Sequence, residues 1–164
     1  MARKKQELLE YSPEQILALD IATVTGYYNP KDGGGVWDFD VTKAKNSLKQ
    51  YASFRNTLIR YIKTNDIVQV VAEDVNVKTY FNAMRKLSEF RGILKEVCES
   101  LCINPPIFVN VTSIKKSFTG DGKAKKQKII RVCQTKYGFY PVDDNHADAF
   151  AVYHYHIKHP NKRK

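Results

Sequence analysis

The hydrophobic pattern divides the chain into strand-length and helix-length units. Leu17-Ala18-Leu19-Asp20-Ile21-Ala22-Thr23 is an apolar run with one carboxylate set into it, and the strand it predicts covers Ile16 to Thr23. Gly26-Tyr27-Tyr28 and Val36 to Val41 flank the turn-forming Asn29-Pro30-Lys31-Asp32-Gly33-Gly34-Gly35, so the second and third strands form an antiparallel hairpin continuing from the first. Trp37 and Phe39 alternate with Asp38 and Asp40, which puts the two acids on the solvent face. From about Lys43 to Lys63, Leu48, Tyr51, Leu58, Ile59 and Ile62 recur at helical spacing, giving an amphipathic helix against the sheet. Val68 to Val75 is a second buried strand. A helix between two buried strands is a crossover, so this strand runs parallel to a neighbour and can bring Asp20 and Glu73 side by side.

Beyond it, Lys78 to Phe81 reads as a loop with Tyr80 and Phe81 as candidate stacking residues. A helix follows through Met84, Leu87, Phe90, Leu94, Val97, Cys98 and Leu101, and Asn104-Pro105-Pro106 breaks it. A short strand covers Ile107 to Val111, and a last helix runs from Asp143-Asp144 to about Lys158. No repeat or linker divides the sequence. The expectation is one domain over residues 1–164, with flexible tails at 1–14 and 159–164.

Composition sharpens this picture in two respects. With 27 basic and 17 acidic residues among 164, the net charge is +10 and the pI about 9.5, which favours a polyanionic partner. No apolar stretch reaches spanning length, the N-terminus lacks a signal-peptide core, and no basic amphipathic helix has a strong apolar face. Nucleic acid is therefore expected rather than a membrane. Cys98, Cys102 and Cys133 form no CxxC pair and read as reduced core thiols rather than a zinc site.

The chemistry lies in where the charges fall. An ionised Asp between apolar neighbours costs several kcal/mol unless hydrogen bonds, a counter-charge or a metal compensate it, so Asp20 calls for a cation. Glu73 near the end of the second buried strand and Asp148 in the last helix supply acid from separate elements. Asp144 and Asp148 are four apart, and Asn145 and Asp148 three apart, so each pair converges on one helix face. Capping explains Asp143 and Asp144 as well as ligation does, but Asp148 lies too far in to cap.

Between Lys115 and Lys136 stand Lys115, Lys116, Lys123, Lys125, Lys126, Lys128, Arg131 and Lys136 against Asp121 alone, which is seven of the ten excess charges. Thr119-Gly120-Asp121-Gly122 sits within this run before a helix, where glycines and free N–H groups suit close approach to phosphate. Basic residues of the preceding helix, Arg91 among them, are further candidates for phosphate contact. Carboxylates on three elements beside a concentrated basic patch point to metal-dependent chemistry on a phosphate backbone. Hard oxygen ligands without a Cys or His cluster favour Mg²⁺, with Mn²⁺ as a substitute.

In order along the chain, Ile16-Leu17-Ala18-Leu19-Asp20, Val71-Ala72-Glu73, Leu87-Ser88-Glu89-Phe90-Arg91-Gly92, and Ile114 to Lys126 followed by Ala147-Asp148-Ala149 resemble the RuvC family of Holliday-junction resolvases, within the ribonuclease H-like superfamily. The resemblance spans Ile16 to Ile157. It implies an α/β fold with a mixed five-stranded sheet, three antiparallel strands then parallel ones, flanked by helices.

It also implies roles. Asp20, Glu73 and Asp148 match the family's metal-binding carboxylates, and Lys115 and Lys126 match basic residues near the scissile phosphate. The family's remaining acidic position, usually Asp or His, falls on Asn145; Asp144 is the better ligand by chemistry, while Asp143 and His146 stay open as sources. Asn76 stands where the family often has an aromatic residue, for which Tyr80 or Phe81 are substitutes. Lys116, Lys123, Lys125, Arg131 and Arg91 complete the expected nucleic-acid contacts. The implied activity is resolution of four-way DNA junctions by paired symmetric nicks, leaving 5′-phosphate and 3′-hydroxyl ends, with two ions about 4 Å apart. A twofold homodimer matches the substrate's symmetry. The expected setting is cytoplasmic or nucleoid-associated in a bacterium or phage. A broader nuclease for flaps, branched DNA or RNA-DNA hybrids and a non-catalytic junction binder are the alternatives.

Overall fold

The computed structural model describes residues 8–40, 47–75 and 80–160. A 3-10 turn at Pro13–Gln15 leads into β1 (Ile16–Asp20), β2 (Val24–Tyr28) and β3 (Gly35–Asp38). There follow α1 (Ser47–Asn65), β4 (Gln69–Glu73), α2 (Phe81–Ser100), β5 (Ile107–Val109), α3 (Val111–Thr119), α4 (Lys126–Tyr137) and α5 (Asp144–Lys158). The five strands form one sheet in the order β3-β2-β1-β4-β5; β1-β2 and β2-β3 are antiparallel, β1-β4 and β4-β5 parallel. This is the mixed sheet expected from the sequence, with the crossover strand beside β1.

Strand periodicity sorts the core into two layers. Leu17 and Leu19 of β1, with Val70 and Ala72 of β4, face α1 and α2 and pack with Phe54, Leu58, Phe90, Leu94 and Val97. Ile16 and Ala18, with Val71, face the other way onto α3, α4 and α5. The same alternation carries Asp20 and Glu73 to the α5 side. Small residues Ala147 and Ala151 let α5 lie close on the sheet, and Gly26 of β2 is the tightest approach: a Cβ there would fall 1.9 Å from the Asn145 carbonyl oxygen.

Several boundaries differ from the sequence reading, each for a local reason. β1 stops at Asp20 because the Thr25 hydroxyl accepts from Ala22 N–H (3.3 Å) and donates to Ala22 O (2.6 Å), closing a turn at 21–23. β3 stops at Asp38, whose carboxylate accepts from Asp40 N–H (2.8 Å); Asp38 and Asp40 are exposed as expected. Val41 and the expected helix start at Lys43 lie outside the described residues, and Leu48, counted on the apolar face of α1, is 75% exposed. β4 is shorter than Val68–Val75 at both ends.

The loop assigned to Lys78–Phe81 meets α2 at Phe81, while Asn76 and residues 77–79 lie outside the described residues. Cys98 and Cys133 are buried, but Cys102 is an exposed residue beyond the end of α2 with φ 54, so it does not share the apolar face of Cys98.

The largest difference is α3. β5 ends at Val109 instead of Val111, because the Asn110 side chain accepts from Thr112 N–H (2.9 Å) and Ser113 N–H (3.3 Å) and starts a helix. Gly120 (φ 82) closes this helix, its N–H bonded to Lys116 O at 2.9 Å. The glycine turn thus ends α3; the N-cap of α4 is Lys125, five residues on.

At the N-terminus, Met1 to Glu7 lie outside the described residues, but from Leu9 onward the expected flexible tail is anchored. Leu9 exchanges two hydrogen bonds of 2.8 Å with the buried Asn104 side chain, Tyr11 Oη lies 2.9 Å from His156 Nε2, and Tyr153 Oη donates to Pro13 O at 3.2 Å. At the other end His159 N–H bonds Tyr155 O (3.0 Å), while residues 161–164 lie outside the described residues. Among the described residues no helix is long and apolar enough to cross a membrane.

Candidate active site

The parallel register pairs Leu19 with Ala72, so the next residues, Asp20 and Glu73, end adjacent strands side by side. Asp148, on the second turn of α5, joins them from above the sheet. Burial is the largest force on all three carboxyls. It raises Asp20 well above its ordinary 3.8, helped by the charges of Glu73 and Asp148 and opposed by Lys126. Burial and Asp148 push Glu73 up to about 7, against the pull of Lys115. Burial pushes Asp148 up to about 6 although Lys115 and Lys126 pull it down. Mutual repulsion of this kind marks a place where a cation would be stabilised.

The two lysines come from the basic segment but from different helices. Lys115 lies on α3 and Lys126 is the first residue of α4. Lys126 forms an ion pair with Asp144, the first residue of α5; this contact holds the Asp144 carboxyl below its usual range and raises the Lys126 ammonium. The Lys126 side chain is 69% exposed, so the pair adds little to folding and its ammonium is accessible to a ligand.

Hydrogen bonding distinguishes the four residues at the start of α5. Asp143 is the N-cap, accepting from His146 N–H at 2.9 Å. Asn145 has its carbonyl against Gly26 and its amide 3.5 Å from Asp143 Oδ2. His146 is buried, its Nδ1 accepting from Val142 N–H (3.1 Å), which leaves the proton on Nε2 to donate to Gly33 O (2.8 Å). Both ring nitrogens are thereby engaged in fastening the 139–142 loop and the β2-β3 hairpin to α5. Asp144 is the residue of the four whose carboxylate joins the electrostatic group of Asp20 and Asp148 without capping duty.

Among the described residues, no three of these groups converge tightly enough to form a preformed metal cage. The donor chemistry nevertheless suits a hard divalent cation: the carboxylates are oxygen donors, raised by burial and by each other, with no thiol or free imidazole among them. Asp20, Glu73 and Asp148, with Asp144 at the edge, are the oxygen donors that such a cation would draw on.

The remaining expected contacts divide. Lys116, Lys123, Lys125 and Arg131 are exposed on and around α3 and α4. Lys128, facing the same side, pairs with Asp121 at 3.5 Å. Tyr80 and Phe81, at the start of α2, are 90% and 68% exposed. Arg91 is engaged within the protein: its guanidinium lies 3.7 Å over the Phe108 ring and pairs with Asp74, and its side chain remains 29% exposed. Asp74 and Phe108 were not singled out from the sequence, and His146 was considered there only as a possible ligand, not for the contacts it makes with Val142 and Gly33. For Asp74 the signal was its place directly after Glu73, whereas His146 and Phe108 gain their roles from contacts distant in the chain.

No protein-family model matches the sequence, and no curated protein matches it. Solved structures do. Thermus thermophilus RuvC superposes with TM-score 0.71 at 12% identity, covering 90% of this chain and 98% of that one. RuvC of the same species in complex with a Holliday junction substrate gives TM-score 0.69 at 13% identity, over 87% and 92%. The yeast mitochondrial Holliday junction resolvase Ydc2 gives 0.59 at 11%, over 88% and 78%. With its antiparallel hairpin strands, parallel β4 and β5, and carboxylate-bearing α5, the chain has a RuvC-like fold of the ribonuclease H type.

Proposed function

We propose that this chain is a metal-dependent endonuclease, acting as a single nuclease domain, that resolves four-way DNA junctions by paired symmetric nicks. The observation that carries the reading is the grouping of Asp20, Glu73 and Asp148, three part-buried and mutually repelling carboxylates within the electrostatic reach of Lys115 and Lys126. A pure DNA binder gains nothing from such acids beside its basic patch. The RuvC structure solved with a Holliday junction supports branched DNA as the substrate class.

Asp20, Glu73 and Asp148, completed by Asp144, would hold divalent ions, Mg²⁺ with Mn²⁺ as a substitute. Bound there, two such ions would supply activation of water and charge stabilisation at the leaving 3′-oxygen of an in-line displacement. The protein's own groups do the rest. Lys115 and Lys126 offset charge developing on the scissile phosphate, and the Lys126 ammonium reaches it by exchanging Asp144 for a phosphate oxygen. Buried strand ends fix Asp20 and Glu73 so that little reorganisation accompanies the reaction. Lys116, Lys123, Lys125 and Arg131 grip the backbone, and exposed Tyr80 and Phe81 offer stacking faces to unpaired bases. The products are 5′-phosphate and 3′-hydroxyl ends. One site per chain and a twofold substrate call for a homodimer, and the chemistry suits a cytoplasmic or nucleoid-associated setting.

The test is cleavage of end-labelled four-way junction, flap, linear duplex and RNA-DNA hybrid, with Mg²⁺ and with EDTA, beside Asp20→Asn. Symmetric paired nicks confined to the junction and lost in both controls, with junction binding retained by the variant, are expected. Cutting of every branched substrate would replace the resolvase reading with a general structure-selective nuclease. Tight binding without metal-dependent cutting would leave a junction-binding protein.

A further inference from the structure

Directly beside the carboxylates lies a cavity of about 120 Å³ between the ends of β1 and β4, Phe108 of β5 and the middle of α2. Asp20 and Glu73 form its site-facing end, and Ile21, Val75, Leu87 and Phe108 its apolar walls. Asp74 and Arg91 supply the remaining polar groups, and together with Phe108 they also line a second, wider groove of about 360 Å³ that reaches Pro105 and Pro106. Apolar walls with the Asp74–Arg91 pair at one side and Asp20 and Glu73 at the other make a slot for a planar, polar-edged ring.

We infer that this slot takes a nucleobase flanking the scissile phosphate, and that Arg91, steadied by Asp74 and Phe108, reads it as guanine. The inference rests on the nuclease reading above and adds a specificity determinant to it. Stacked 3.7 Å over Phe108 and paired through Nη1 to Asp74, the guanidinium is held in one orientation. Asp74 is itself fixed, its N–H donating to Val109 O (2.8 Å) and its Oδ1 accepting from Val75 N–H (2.9 Å). An ion pair needed only for folding would be indifferent to the cavity, yet Arg91 borders both spaces and remains 29% exposed. A clamped planar fork with donors left over matches the O6 and N7 acceptors of guanine. It loses no rotamer freedom on binding.

The experiment measures affinity and cutting on four-way junctions carrying each of the four bases in turn at positions flanking the crossover. Binding is read with the Asp20→Asn protein in EDTA, and cutting with the wild type in Mg²⁺. Expected is a guanine preference of about five- to a hundredfold at one position, in binding and in cutting. Arg91→Met, which keeps the packing on Phe108, brings that preference to about one by weakening the guanine junction. Arg91→Lys keeps the charge but not the fork, and loses the preference while retaining overall affinity; it serves also if the methionine variant does not fold. Uniform weakening over all four bases would assign Arg91 to phosphate and overturn the inference. An unchanged preference, or none in the unsubstituted protein, would overturn it too. Base preference in binding without any cutting would sink the nuclease reading and leave the slot standing.

Discussion

Replacing Glu73 by Gln should make the metal-free protein more stable at neutral and alkaline pH, even though it removes a side chain from the candidate active site. Glu73 titrates near 7 in the folded chain instead of at the ordinary 4.5, because burial and the neighbouring Asp148 disfavour its charged form. A raised folded-state pKa gives a contribution that is fully present below pH 4.5, fades between 4.5 and about 7, and is lost above that. At about 1.4 kcal/mol per pH unit the displacement amounts to about 3 kcal/mol. The strain is shared with Asp20 and Asp148 and partly screened, so about 2 kcal/mol is expected for Glu73→Gln at pH 8. For a chain of this size that is a rise in Tm of roughly 4–8 °C.

The assay is thermal or urea denaturation of wild type and Glu73→Gln in EDTA at pH 4.5 and pH 8. The variant should lead at pH 8 and lose most of its lead at pH 4.5. Adding Mg²⁺ or Mn²⁺ should narrow or reverse the order, since a ligand at a hundred times its Kd stabilises wild type by about 2.7 kcal/mol and the variant by less. A variant no more stable than wild type in EDTA at pH 8 would refute the reasoning, since Glu73 would then not be held against its own charge.

Gly26→Ala should be severe for a residue so small: its Cβ would meet the Asn145 carbonyl at 1.9 Å, and backbone cannot yield there without moving α5, so a loss of about 3 kcal/mol or more and of junction cutting is expected by denaturation and nicking assays. Lys126→Met should leave stability within about 0.5 kcal/mol. It should slow single-turnover cutting roughly 10²- to 10³-fold, as loss of a charge-stabilising donor does. Asn104→Ala should detach the segment around Leu9, losing two 2.8 Å bonds, and be read as faster amide exchange at Leu9 with a destabilisation of about 1–3 kcal/mol.

The sheet and the three-carboxylate grouping were legible because both rest on period-two alternation and a crossover: Ile16, Ala18 and Asp20 share a face by spacing alone, and a parallel β4 then sets Glu73 beside Asp20. α3 was not legible, because Val109-Asn110-Val111 continues a β-branched run, and its end is set by a side-chain cap seen in three dimensions. The Thr119–Gly122 turn does precede a helix, α4, but that Gly120 also closes α3 was missed for the same reason; a glycine marks a boundary without saying which side it belongs to. Arg91 looked like one more phosphate-facing cation, since nothing local announces that Phe108 and Asp74 lie against it. Asp143, Asp144, Asn145 and His146 could not be told apart in the sequence, because the cap on His146 N–H, the Lys126 ion pair and the His146 ring bonds depend on contacts seen only in three dimensions.

The sheet carries its acidic ends on β1 and β4, with β1 paired on both sides, while the basic side chains ride on α3 and α4, which touch α5 and each other at the periphery. Such a layout behaves as two modules with unequal tolerance to change. Charge swaps at the exposed Lys116, Lys123, Lys125 and Arg131 alter what the molecule grips while leaving in place Ile114, Phe118, Ile129 and Cys133, through which α3 and α4 pack against Ile16, Ala18 and Val71. Hydrogen exchange should mirror the division, with the amides of β1 opening only on global unfolding and those of α4 exchanging earlier. Substrate range in proteins built this way can therefore drift over short evolutionary distances while the reaction stays the same.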